Sequence, residues 1–79
     1  MSEQIQLTKG QYRVGINFNP GGHEEVNSVK AYASEFIDYI ESIASKSTNP
    51  EVRRLCAIAQ TEVESAAMYA VKAATKPAV

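Results

Sequence analysis

One cysteine and one histidine occur among the 79 residues, and each shortage closes off a class of chemistry. A single thiol, Cys56, neither closes an internal disulfide nor supplies a thiolate metal cluster, and its position on an apolar helix face reads as packing. The lone His23 has no second histidine or cysteine at ligand spacing, so no zinc or other transition-metal site is expected, and no cofactor is implied. No serine is flanked by glycines in a nucleophile elbow. Glu62 and Glu64 stand two apart on a helix and so face different ways, which denies them an acid–base partnership and reads as solvation. Gly21-Gly22 before a helix matches neither the P-loop nor the dinucleotide fingerprint.

Charge of one sign is also lacking: eight basic against nine acidic side chains leave a net −1. A general grip on duplex DNA or on anionic membranes is thereby excluded, and any anion site has to be local. No apolar run approaches the eighteen residues of a membrane span, and Met1 to Gly10 lacks the plan of a signal peptide, so a cytosolic protein is expected.

What is present is periodicity. Ile5, Leu7, Tyr12, Val14, Ile16 and Phe18 alternate with polar residues or glycine, which predicts a short β-arm closed by the turn Asn19-Pro20-Gly21-Gly22. Val26, Val29, Ala33, Phe36, Ile37, Ile40, Ile43 and Ala44 then recur at helical steps, with Glu24 and Glu25 in the first turn. Asn49-Pro50-Glu51 supplies an N-cap, a proline at the first helical position and an acid. From there Val52, Leu55, Cys56, Ala59, Val63, Ala66, Ala67, Ala70 and Ala74 form a second apolar stripe. The expected fold is mainly α: an antiparallel two-helix hairpin with a short N-terminal β-arm, one domain over 1–79. Arm and turn occupy 1–22, helix one 23–46 and helix two 49–76.

The hairpin's core is thin, because alanine methyls bury little area at about 25 cal/mol per Å². A chain of this length rarely draws more than about 3–5 kcal/mol from one core. Oligomerisation is the remedy this predicts, with Ile58, Met68 and Tyr69, which project away from the alanine stripe, as the interface. A helical adaptor docking on a host protein through the same three residues is the competing reading.

For ligand chemistry the best constellation is Tyr12 and Arg13 on the arm, the turn from Asn17 through Phe18 to Gly22, and Lys30 on helix one. Lys30 lies at the margin of the apolar stripe, where its stem is buried and its ammonium reaches a partly dry site suited to phosphate. Tyr12 and Phe18 offer flat faces to nucleobases, and Arg13 a bidentate phosphate contact. Composition and period alone favour Tyr12 and Phe18 as core side chains and Lys30 as a snorkelling lysine.

The run Arg13-Val14-Gly15-Ile16-Asn17-Phe18-Asn19-Pro20-Gly21-Gly22, the following Val26-Asn27-Ser28-Val29-Lys30, and the segment from Glu64 to Thr75 (Ala66-Ala67-Met68-Tyr69-Ala70-Val71-Lys72-Ala73 at its centre) resemble the helical-hairpin domain of phage sponge proteins. Those proteins counter CBASS and Thoeris immunity. Tyr69 stands where that family often carries tryptophan, and Gly22 where serine is common. The resemblance spans about residues 12–76. It implies a non-enzymatic homohexamer, in the cytoplasm of the infected bacterial host, that sequesters cyclic dinucleotides such as cyclic GMP-AMP between protomers. The gripping tyrosine and lysine of similar proteins match Tyr12 and Lys30. Some members also take cyclic trinucleotides in a second pocket, for which Arg54, Lys72 and Thr75 are candidates because they lie off the alanine stripe. The anti-Thoeris branch takes cyclic ADP-ribose isomers.

Overall fold

The computed structural model describes residues 6–77, and among them three helices and no strand: α1 Lys9–Val14, α2 Glu24–Ser45 and α3 Pro50–Ala74. The expected β-arm is therefore corrected, and Ile5, its first apolar position, lies outside the described residues. Where alternation predicts a strand, a capping box makes a helix. The Thr8 hydroxyl accepts from the Gln11 backbone N–H at 3.1 Å, and the Gln11 side chain accepts from the Thr8 N–H at 3.0 Å. Two orphan donors are satisfied reciprocally, which stabilises a first turn that apolar periodicity alone does not disclose. Gly15 ends α1 in the left-handed region at φ 65°, a conformation that favours glycine.

The two long helices end where local chemistry directs. The Asn49 side chain accepts from the Glu51 N–H at 2.9 Å ahead of Pro50 at the first helical position. Ser47 to Asn49 make a short connection, so α2 and α3 run antiparallel. Ala44 and Ile40 accordingly meet Cys56, while Ile37 meets Gln60.

The core is the seam between them. Ile40, Ala44 and Cys56 pack with Val52, Ala59 and Val63, and Val26, Ala33, Ile37 and Ala67 extend the seam. Cys56 is buried packing, as its helix position predicts. Phe36, Ile43, Leu55 and Ala66, expected in the stripes, are exposed instead. A single helix-on-helix contact covers only the side of each helix that faces its neighbour, and these residues lie at the margins. Gln60 takes a core place, donating to the Ile37 carbonyl at 3.1 Å and to Glu41 at 3.0 Å, so its buried amide is paired. Helix α1 lies across α2, with the Gly10 N–H donating to the Asp38 carboxylate at 2.7 Å and Lys9 bridging to Glu41 at 2.8 Å.

Candidate ligand-binding site

The site is built where the α1–α2 connection folds back over α2 and α3. After Gly15, the chain turns through Asn17 and runs to His23, held by two side chains. Asn19 accepts from the His23 N–H at 3.1 Å and donates to the His23 carbonyl and to Asn27 Oδ1, both at 2.8 Å. Lys30 holds the other side: its ammonium donates to the Gly15 carbonyl at 2.9 Å and to the Phe18 carbonyl. It also lies 5.4 Å from the centroid of the Phe18 ring, within cation–π range.

Lys30 is only 7% exposed, and no carboxylate pairs with it among the described residues. An ammonium has three donors, and two of them are spent on carbonyl oxygens. A fixed positive charge, balanced by peptide dipoles and not by an anion, thus stands in the wall of the connection. The reading of Lys30 as a snorkelling lysine is corrected, since the charged end is covered along with its stem.

Two cavities share Lys30 and Val71. One, of about 210 Å³, is lined by Arg13, Val14, Lys30, Glu64 and Met68 among others. The other, of about 240 Å³, is lined by Phe18, Asn19, His23, Lys30 and Thr75 among others, and no carboxylate belongs to its lining. Each falls short of the roughly 300–1,000 Å³ of a typical small-molecule pocket, so a ligand of nucleotide size would need a further wall.

The remaining site candidates are distributed unevenly. Arg13 faces the first cavity but is engaged: its Nε donates to Glu64 at 2.8 Å and its Nη2 to Thr61 Oγ1 at 3.3 Å. Glu64 is half-buried in that pair, which corrects its reading as a solvated carboxylate. Tyr12 is 77% exposed and Phe18 72% exposed, so neither is a core side chain. Tyr12 lies outside the linings of both cavities. Asn17 is exposed in the turn, and Gly22 has φ 63° with open space around it.

Arg54, Lys72 and Thr75 do not share one pocket. Arg54 forks onto Glu51 at 2.9 and 2.7 Å in the first turn of α3, about 27 Å along the helix from Lys72 at the ordinary rise of 1.5 Å per residue. That pair holds the Glu51 carboxyl below its usual range and raises Arg54. Lys72 lies with Ser65, Met68 and Tyr69 around a hollow of about 340 Å³. Thr75 faces the second cavity near Lys30, and its hydroxyl donates to the Val71 carbonyl at 2.9 Å.

Sequence reasoning includes Asn19 in the turn but misses His23 and Glu64 as parts of the site. An asparagine four residues before an uncapped helix start is a local signal for His23; Glu64 meets Arg13 from 51 positions away and gives none.

The family model for the Acb2/Tad1 hairpin domain matches residues 9–75, a span that takes in α1, the connection with its lysine staple and both long helices. The chain belongs to the Acb2/Tad1 hairpin family. No curated protein and no solved structure matches it. This family of binding domains is associated with sponge activity against cyclic nucleotide signals. The Acb2/Tad1 hairpin described here has no helix among the described residues long and apolar enough to cross a membrane.

Proposed function

We propose that the chain acts without catalysis, as a homohexameric sponge that sequesters cyclic dinucleotides such as cyclic GMP-AMP and so blocks CBASS signalling in the cytoplasm of the infected host. One observation carries this reading: the covered Lys30 ammonium, unpaired with any carboxylate among the described residues, stands between two cavities. A phosphate oxygen is the group its remaining N–H suits, and a charge-assisted hydrogen bond of that kind is worth about 1.5–3 kcal/mol.

The other parts follow from what surrounds that charge. Phe18 gives one ring face to Lys30 and is otherwise open, so a nucleobase can stack on it. Tyr12 stands outside the cavities and serves a ligand only if that ligand extends beyond one protomer. Both cavities are too small alone, and a second protomer supplies the missing wall. A cyclic dinucleotide has two phosphates and two bases, and a pocket between protomers meets them with duplicated lysines and rings. The hollow formed by Met68, Tyr69 and Lys72, and separately Thr75 beside Lys30, are the places we assign to cyclic trinucleotides.

The test is to incubate purified protein with a panel of cyclic dinucleotides, cyclic trinucleotides and cyclic ADP-ribose isomers, remove free ligand, denature, and analyse what is released. Intact cyclic dinucleotide is the expected product. Hydrolysed product would mark an enzyme, intact cyclic ADP-ribose an anti-Thoeris sponge, and an empty protein the adaptor.

A further inference from the structure

His23 is the only histidine of the chain, and its ring is placed without being used. Asn19 fixes the backbone on both sides, accepting from the His23 N–H at 3.1 Å and donating to its carbonyl at 2.8 Å. The imidazole then folds over Gly21, where an added β-carbon would stand 2.4 Å from Nε2 and 2.6 Å from Cδ2. The bare glycine leaves it that room. His23 also holds the N-cap position of α2, at which serine, threonine or asparagine spends its side chain on the first-turn N–H groups, and the imidazole makes no such bond. Among the described residues no hydrogen bond or ion pair engages either ring nitrogen.

This uncommitted ring lines the second cavity, together with Lys30 and with no carboxylate. The cavity therefore holds one permanent cation, whose charge is covered, and one side chain of the type that ordinarily changes charge between about pH 5 and 8. The remaining ionisable groups of the neighbourhood are Glu24 and Glu25, next along α2, and Lys72 and Lys76 on either side of Thr75. None of these four lines the cavity, and Val71 and Thr75, which α3 and its end contribute to the wall, are uncharged.

We infer that His23 is a second cationic partner for a phosphodiester in this cavity, so that capture of a cyclic oligonucleotide is coupled to uptake of a proton on the ring. The inference deepens the sponge reading proposed above and rests on it. A phosphodiester oxygen held by the free N–H of Lys30 meets no competing anion in the lining, and a protonated imidazole donates from both nitrogens. A phosphate beside the ring favours the charged form of the ring. Linkage makes the effect reciprocal: protonation strengthens binding at low pH, and that contribution is lost as pH rises through the titration midpoint of the complex. The diester keeps its own charge throughout this range, so the proton is exchanged at the imidazole.

The test uses the full chain and the fact that one histidine gives one set of imidazole C–H signals in the proton NMR spectrum. Those signals are followed from pH 5 to pH 8.5 with no nucleotide, with saturating cyclic GMP-AMP, and with saturating cyclic tri-AMP. Calorimetry on the wild type and on His23→Gln then measures the affinity for each nucleotide at pH 6 and pH 8. The expected result is a midpoint moved to higher pH by at least one nucleotide, and the one that moves it is the occupant of the second cavity. That nucleotide should bind the wild type about twofold to fivefold more tightly at pH 6 than at pH 8, the scale of one partly screened charge, and His23→Gln equally at both. Nucleotides that bind and leave the midpoint in place overturn the inference while the sponge reading stands, as does a pH dependence that persists in helical His23→Gln. Neither nucleotide binding at either pH overturns the inference and the cyclic-oligonucleotide sponge together. Should His23→Gln lose its helices, the wild-type NMR series decides alone.

Discussion

Gly10 is pressed so closely onto Ser34 that a β-carbon on the glycine would stand 2.1 Å from the Ser34 carbonyl oxygen. The obstacle is backbone of α2, which does not rotate away as a side chain would. This approach is what lets the Gly10 N–H reach Asp38 at 2.7 Å, and so fixes where α1 and the site connection lie.

Gly10→Ala is therefore expected to destabilise the chain, by about 1–3 kcal/mol for a forced overpacking, even though alanine is the better helix former. Urea denaturation followed by circular dichroism checks the sign. Stabilisation would mean that α1 shifts without cost.

Glu41 accepts from Lys9 at 2.8 Å and from Gln60 at 3.0 Å, and these two bonds hold its carboxyl below the ordinary value near 4.5. A carboxyl depressed in the folded state stabilises above its unfolded pKa, and the contribution is lost as pH falls through the folded value. The pair is nearly half exposed, so the expected effect is about 0.5 kcal/mol. Glu41→Gln should lower the melting temperature at pH 7 by a few degrees at most, and by less at pH 3, where the depressed carboxyl is closer to protonation. An equal deficit at both values would assign the loss to packing.

Much of the hairpin is legible in the residues themselves. Asn49-Pro50-Glu51 announces the start of α3, because capping, proline placement and charge all act within one turn. The β-arm is misread because Tyr12, Val14 and Ile16 alternate, while the interaction that decides is a four-residue box at Thr8 and Gln11 whose effect precedes any periodicity. The site is half legible. Lys30 and Phe18 do converge, lying twelve positions apart across a connection and the first turns of α2 that the turn residues Asn19 and Pro20 make foreseeable. Arg13 with Glu64, and Thr75 beside Lys30, are joined only by the way α3 returns past α2, and no local pattern encodes that juxtaposition.

Bound to Glu64 and Thr61, Arg13 has only part of its guanidinium left for a phosphate, and the Glu64 carboxylate puts a negative charge into the first cavity. Glu64→Gln keeps the shape, removes that charge and frees the guanidinium. Affinity for cyclic GMP-AMP is expected to rise about twofold to fivefold, the scale of one partly screened charge. Titration calorimetry reads it directly. Weakened binding would show instead that Glu64 orients Arg13 for the ligand.

Lys30 carries the strongest prediction because it does two things at once. Its ammonium ties the Gly15 and Phe18 carbonyls to α2, and it is the one cation common to both cavities. Lys30→Met keeps most of the stem volume and removes every donor. Losing the tie leaves two carbonyls without their partner, which costs about 1–3 kcal/mol of stability. Losing the phosphate contact costs a further, separate amount of binding, roughly tenfold to a hundredfold in affinity for cyclic GMP-AMP. Tyr12→Ala separates the two effects. Its side chain is exposed and outside both cavities, so its loss should leave stability unchanged while weakening a ligand that spans protomers by the scale of one stacking contact, about 1–3 kcal/mol. Calorimetry with sedimentation on the same samples settles the outcome. Assembled Lys30→Met and Tyr12→Ala proteins that both bind at full strength would remove the ligand from this connection and place it against α3.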